Sequence, residues 1–142
     1  MKNEVMMVDS ILLNIPAKPE YVMVVRLTTS AVACRAGLRV DEIEDLKVAV
    51  AESCNILMNQ TKNIKQLNVN FNTTGEGLKI EIGIEKDLDD IVGNDYNNYD
   101  EQNELGIYII TSLITDVNFH QKGDIIYSIS MYKKSGGQTC DD

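Results

Sequence analysis

Three cysteines, one histidine and a run of carboxylates are the side chains that could hold a metal or supply a nucleophile. Their spacing argues against both uses. Cys34, Cys54 and Cys140 form an odd set with no C-x-x-C pair, and His120 stands alone, so zinc would lack ligands. Unpaired thiols of this kind suit a reducing cytoplasm. Cys34 and Cys54 read as small core side chains and His120 as a sheet-edge residue. The acidic stretch from Lys86 to Glu104 holds Asp87, Asp89, Asp90, Asp95, Asp100 and Glu101. It resembles a calcium loop only in composition. Counted from Asp87, the fifth and sixth positions are Ile91 and Val92, where an EF-hand needs an oxygen ligand and a glycine.

The balance of charge excludes further classes. The 142 residues carry 22 acidic side chains against 13 Lys plus Arg, a net charge of -9. Nucleic acid needs clustered cations, and anionic membrane surfaces need the same. No apolar run approaches the roughly 18–20 residues of a membrane span, and Asp9 breaks up the apolar N-terminus, so no signal peptide is expected. With 44% hydrophobic and 25% charged residues, the composition is that of a globular chain. One domain over residues 1–133 is expected, followed by a polar tail over 134–142.

The elements that must position any site follow from periodicity. Ile11-Leu12-Leu13 reads as a strand closed by Pro16, and Pro19 suits the first turn of a helix. From Glu20 to Leu38 the β-branched residues favour a strand, but the length without a turn signal before Gly37 decides for helix. Asp41-Glu42-Ile43-Glu44 has capping-box spacing, and Ile43, Leu46, Val50, Cys54 and Leu57 then form one buried helical stripe. Leu67, Val69 and Phe71 alternate with asparagines, and Leu78, Ile80, Ile82 and Ile84 with polar residues or glycine, which makes a hairpin linked over 73–77. A third helix is expected from about Glu104 to Val117, with Ile109, Ile110, Leu113, Ile114 and Val117 inward. A last hairpin turns at 121–124 and ends in Ile125, Tyr127, Ile129 and Met131. The order predicts an α+β, two-layer sandwich, with three helices packed on one face of a mostly antiparallel sheet.

Pro19-Glu20-Tyr21-Val22, Arg26-Leu27-Thr28 and the run from Asp41 to Cys54 resemble the bacterial anti-sigma factors that are also serine-protein kinases, of the RsbW and SpoIIAB type. Leu105-Gly106-Ile107-Tyr108 resembles a glycine motif of the same family. The resemblance covers most of residues 11–132 and is specific from Pro16 to Cys54. It implies the ATPase fold shared with histidine kinases, Hsp90, gyrase and MutL. It further implies Mg-ATP held between helices and a lid loop, a sigma factor held inactive, and a serine phosphorylated on an anti-anti-sigma protein. It also implies a homodimer, and an arginine at the position of Arg26 that contacts protein partners.

Carried over residue by residue, the family's nucleotide motifs are incomplete. The first is Glu-x-x-x-Asn, whose Glu handles the attacking hydroxyl and whose Asn gives an oxygen to Mg²⁺. Glu52 matches, but Ile56 stands four residues on. Asn55 is one position early, about 100° round the helix from Ile56, and is expected to point elsewhere. Asn59 shares a suitable face about 10 Å along the axis. The second motif, Asp-x-Gly-x-Gly, reads the adenine amine. Here Ile84 replaces the Asp and no glycine follows before Leu88. Loss of that polar partner would cost roughly 1–3 kcal/mol. In the third motif, whose free N–H groups cradle phosphates, Asn103-Glu104 replaces Gly-Gly and only Gly106 remains.

The expectation is therefore a cytoplasmic, kinase-like pseudokinase that binds a sigma factor or an anti-anti-sigma protein, with no cofactor and no metal. Glu52 is its vestigial catalytic candidate, and Asn55 and Gly106 are cofactor-binding candidates should nucleotide bind. The alternative is an active serine-protein kinase using Mg-ATP.

Overall fold

The computed structural model describes residues 7–60, 63–85 and 101–135. Strand β1 (Met7–Pro16) leads through a 3-10 turn at Pro19–Tyr21 into helix α1 (Val22–Arg35), and α2 spans Val40–Met58. The hairpin of β2 (Gln66–Thr74) and β3 (Gly77–Ile84) precedes α3 (Glu101–Leu113), and β4 (Asp116–Lys122) and β5 (Ile125–Lys134) close the fold. The sheet is antiparallel throughout, in the order β1-β2-β3-β5-β4. This is the expected two-layer α+β arrangement.

Period-two patterning sets the layers. Leu67, Val69 and Phe71 of β2 pair with Ile84, Ile82 and Ile80 of β3, and all except half-buried Ile84 are buried toward the helices. The opposite row is polar apart from Leu12 at its edge: Leu12, Asn70, Glu81, Ser130 and Asn118 lie side by side across the five strands. The stripe of Ile43, Leu46, Val50, Cys54 and Leu57 is buried as its spacing demands, and α2 packs against both α1 and α3. Gln60, just past α2, is buried and pins that end to the sheet. Its amide donates to the Ile126 carbonyl at 2.8 Å, and its own carbonyl accepts the Ile126 N–H at 2.7 Å.

Several boundaries differ from the sequence reading, each for a local reason. β1 extends to Met7 because β2 offers a full-length partner. Gly37 has φ +86° and ends α1 as expected, since a left-handed residue costs glycine little. The cap of α2 begins two residues earlier than the Asp41–Glu44 box. The Arg39 N–H donates to the Glu42 carboxylate at 2.8 Å, and the Arg39 guanidinium pairs with Asp41 at 3.2 Å. That pairing holds the exposed Asp41 carboxyl below its ordinary pKa. α3 begins at Glu101 and ends at Leu113, so Val117 belongs to β4 although it still faces the core. Cys34 is exposed, a correction to its assignment as a core residue, because Val32 and Ala33 take the inward positions and the next residue turns about 100° away. Residues 86–100 of the acidic stretch and 136–142 of the tail lie outside the described residues.

Candidate functional site

α2 and α3 enclose a cavity of about 340 Å³. Glu52, Asn55, Ile56 and Asn59 line it from α2 and its end, and Asn103, Leu105 and Ile109 from α3. The helical repeat explains the first four. Steps of three, four and seven residues return to one face, within about 60° of the starting residue. Asn55 therefore does not point away from Glu52. It lies 100° from Ile56 but only about 60° from Glu52, on the other flank, and reaches the rim of the same cavity.

Ile56 occupies the position where the family resemblance requires an oxygen donor. Its side chain is 2% exposed and offers only carbon. Gly106 fits closely over it: a Cβ at that glycine would lie 3.1 Å from Ile56 Cδ1 and 3.2 Å from Glu52 Oε1. The missing side chain lets α3 approach α2. Ile84 is half-buried and packs against the core, and it does not line the cavity. Ile109 is the lining residue that no motif comparison singled out, and its helical spacing from Leu105 was the available signal.

Arg26 sits elsewhere, half-buried on α1, and its buried Nε has no hydrogen-bond partner among the described residues. Around it α1 exposes Met23, Val24 and Leu27, with Tyr21 before them. A half-buried arginine beside exposed apolar side chains is suited to a protein surface carrying a carboxylate.

Residues 15–132 match the family of histidine kinase-like ATPase domains. Serine-protein kinase RsbW of Bacillus licheniformis is 39% identical over 104 residues, 70% of this chain and 60% of the relative. RsbW of Bacillus cereus is 34% identical over 133 residues, covering 81% and 80% of the two chains. The Bacillus subtilis protein is 33% identical over 137 residues, covering 87% and 86%. The chain belongs to the RsbW-like anti-sigma factor family. It thus spans 60% of the length of the first of these relatives and at least 80% of the other two. Within the RsbW-like family the fold expected from the resemblance, helices on one face of an antiparallel sheet, is the fold found. Among the described residues no helix is long and apolar enough to cross a membrane.

Proposed function

We propose that this chain is an RsbW-like regulatory protein that holds a sigma factor, an anti-anti-sigma protein or both, in the cytoplasm and as a homodimer, with ATP binding lost or weakened. Residues 1–133 form its single working domain in this reading. The observation that carries it is the buried Ile56 at the metal-ligand position, covered by Gly106. Magnesium prefers an octahedron of oxygens and dehydrates reluctantly, and a buried aliphatic side chain offers it nothing. The residues present fit a magnesium nucleotide poorly. Arg26, half-buried beside the exposed Met23 and Leu27, supports the partner-holding half of the proposal. In this reading the partner surface and the cavity lie on different helices, so the second can be lost without the first. Titration calorimetry with Mg-ATP and with Mg-ADP tests the reading. Heats no larger than dilution are expected, and micromolar, magnesium-dependent binding refutes it.

A second reading is supported by one feature. Glu52 remains on the cavity wall with three carboxamide side chains, Asn55, Asn59 and Asn103. In that reading the chain is an active serine-protein kinase with an altered pocket, and Glu52 orients the substrate hydroxyl as general base. Transfer of labelled phosphate from ATP to a cognate anti-anti-sigma protein, abolished by Glu52→Gln, would establish it. Absence of transfer ends it.

A further inference from the structure

The cavity between α2 and α3 suits a charge opposite to that of a nucleotide. None of its lining residues is a lysine or arginine. The sequence supplies none on either helix near it: no Lys or Arg stands between Lys47 and Lys62, or between Lys86 and Lys122. A phosphate entering here meets the Glu52 carboxylate with no cation to offset the repulsion. Glu52 is half-buried, and it forms no ion pair and accepts no hydrogen bond among the described residues. The carboxamide of Asn55, three residues on and on the same helical face, is also without a partner among them. The remaining wall is carbon. Ile56 is buried, Ile109 is half-buried, and Leu105 stands 58% exposed at the opening.

We propose that this cavity takes an aliphatic ammonium group, its N–H donors on the Glu52 carboxylate and the Asn55 carboxamide oxygen, its carbon stem on Ile56, Leu105 and Ile109. With the magnesium nucleotide lost, as the proposed function has it, the cavity is free for such a group. Other ligand classes match only part of the wall. An anion is repelled by Glu52. A neutral alcohol covers the aliphatic side chains but leaves the carboxylate without a charged partner. An inorganic cation pairs with Glu52 and gains nothing from the three aliphatic residues. An alkylammonium uses both, through charge-assisted hydrogen bonds at one end and apolar burial along the stem. At about 30 Å³ for each water-sized group, 340 Å³ holds roughly ten non-hydrogen atoms. That is the size of a small free amine or of one lysine side chain, which share this chemistry.

Titration of the full chain with n-pentylamine, followed by the NMR shifts of its backbone amides, tests this. Shifts centred on Glu52, Asn55, Leu105 and Ile109 are expected, with a Kd of about 0.1–1 mM for a ligand of this size. Pentanol, which keeps the stem, and potassium chloride, which keeps a positive charge, should each bind at least about tenfold more weakly. Glu52→Gln should raise the Kd of the amine at least about tenfold and Leu105→Ala about threefold. Both side chains reach solvent, so the unfolding midpoints should match the parent's. Glu81→Gln, on the far face of the sheet, should leave Kd unchanged. Nα-acetyl-lysine methylamide separates the two sources. Binding within about threefold of pentylamine assigns the cavity to a protein lysine, and weaker binding assigns it to a free amine. If neither compound binds, the proposal is overturned. It is also overturned if pentanol or potassium chloride gives equal shifts, or if Glu52→Gln binds as the parent does. Mg-ADP is titrated beside them. If neither Mg-ADP nor amine binds, the ammonium site alone fails. If Mg-ADP binds, the lost nucleotide site fails and the ammonium site with it.

Discussion

Replacing Gly106 by alanine separates two roles for that glycine. A phosphate cradle needs its flexibility only when nucleotide is present. Helix packing needs its missing side chain always. The added methyl would sit 3.1 Å from Ile56 Cδ1, 3.2 Å from Glu52 Oε1 and 3.3 Å from Ile56 Cγ1. Each contact is a few tenths of an ångström inside comfortable van der Waals distance, and Ile56 is held in the core. Overpacking of this kind costs about 1–3 kcal/mol. Alanine in a helix interior returns roughly 0.5–1 kcal/mol relative to glycine. The net expectation is a loss of about 0–2.5 kcal/mol without any ligand, centred on about 1 kcal/mol, which is a fall in Tm of about 4 °C for a domain of this size. Ile56→Val removes Cδ1, the nearest contact, at a cost of about 0.5–1.5 kcal/mol by itself. In that background Gly106→Ala should cost about 1 kcal/mol less than it does alone. Urea unfolding of the four proteins in the cycle, free of nucleotide, measures both quantities. If Gly106→Ala is as stable as the parent, or if the two substitutions are additive, the close packing of α3 on α2 does not explain the glycine.

Two other outcomes follow from buried groups. Gln60→Leu leaves the N–H and carbonyl of Ile126 buried without their partner, and should cost about 2–4 kcal/mol in urea unfolding, with faster hydrogen exchange at the Ile126 amide. Burial pushes the Cys54 thiol up to about 12 from 9.0, so Cys54 should resist alkylation at pH 8 while exposed Cys34 reacts, as peptide mass mapping would reveal. Above pH 9 the unfolded chain releases this thiol's proton and the folded one keeps it. Stability from this group is therefore complete below pH 9 and declines as pH rises toward 12, and Cys54→Ala should flatten the slope.

The layering was legible because side-chain period is a local property. Alternation in Leu67 to Phe71 and in Leu78 to Ile84 named the buried face before any partner strand was known, and steps of three and four did so for Ile43 to Leu57. Boundaries were less legible. The start of α2 turned on Glu42 reaching back to Arg39 rather than on the box that follows, and both patterns satisfy the same spacing rule. Cys34 misled because its residue type is usually buried, while its place on α1 depends on which side of the helix meets α2.

The candidate site divides in the same way. Glu52, Ile56 and Gly106 can be placed on their helices from sequence, and the aliphatic residue at the metal-ligand position is plain from residue order alone. Only the folded chain sets Gly106 on Ile56 and leaves the Arg26 Nε buried without a hydrogen-bond partner among the described residues. Periodicity records which face of an element turns inward, because that depends on backbone geometry every few residues. Which two faces then meet depends on the packing of segments fifty residues apart, and no local pattern carries that distance.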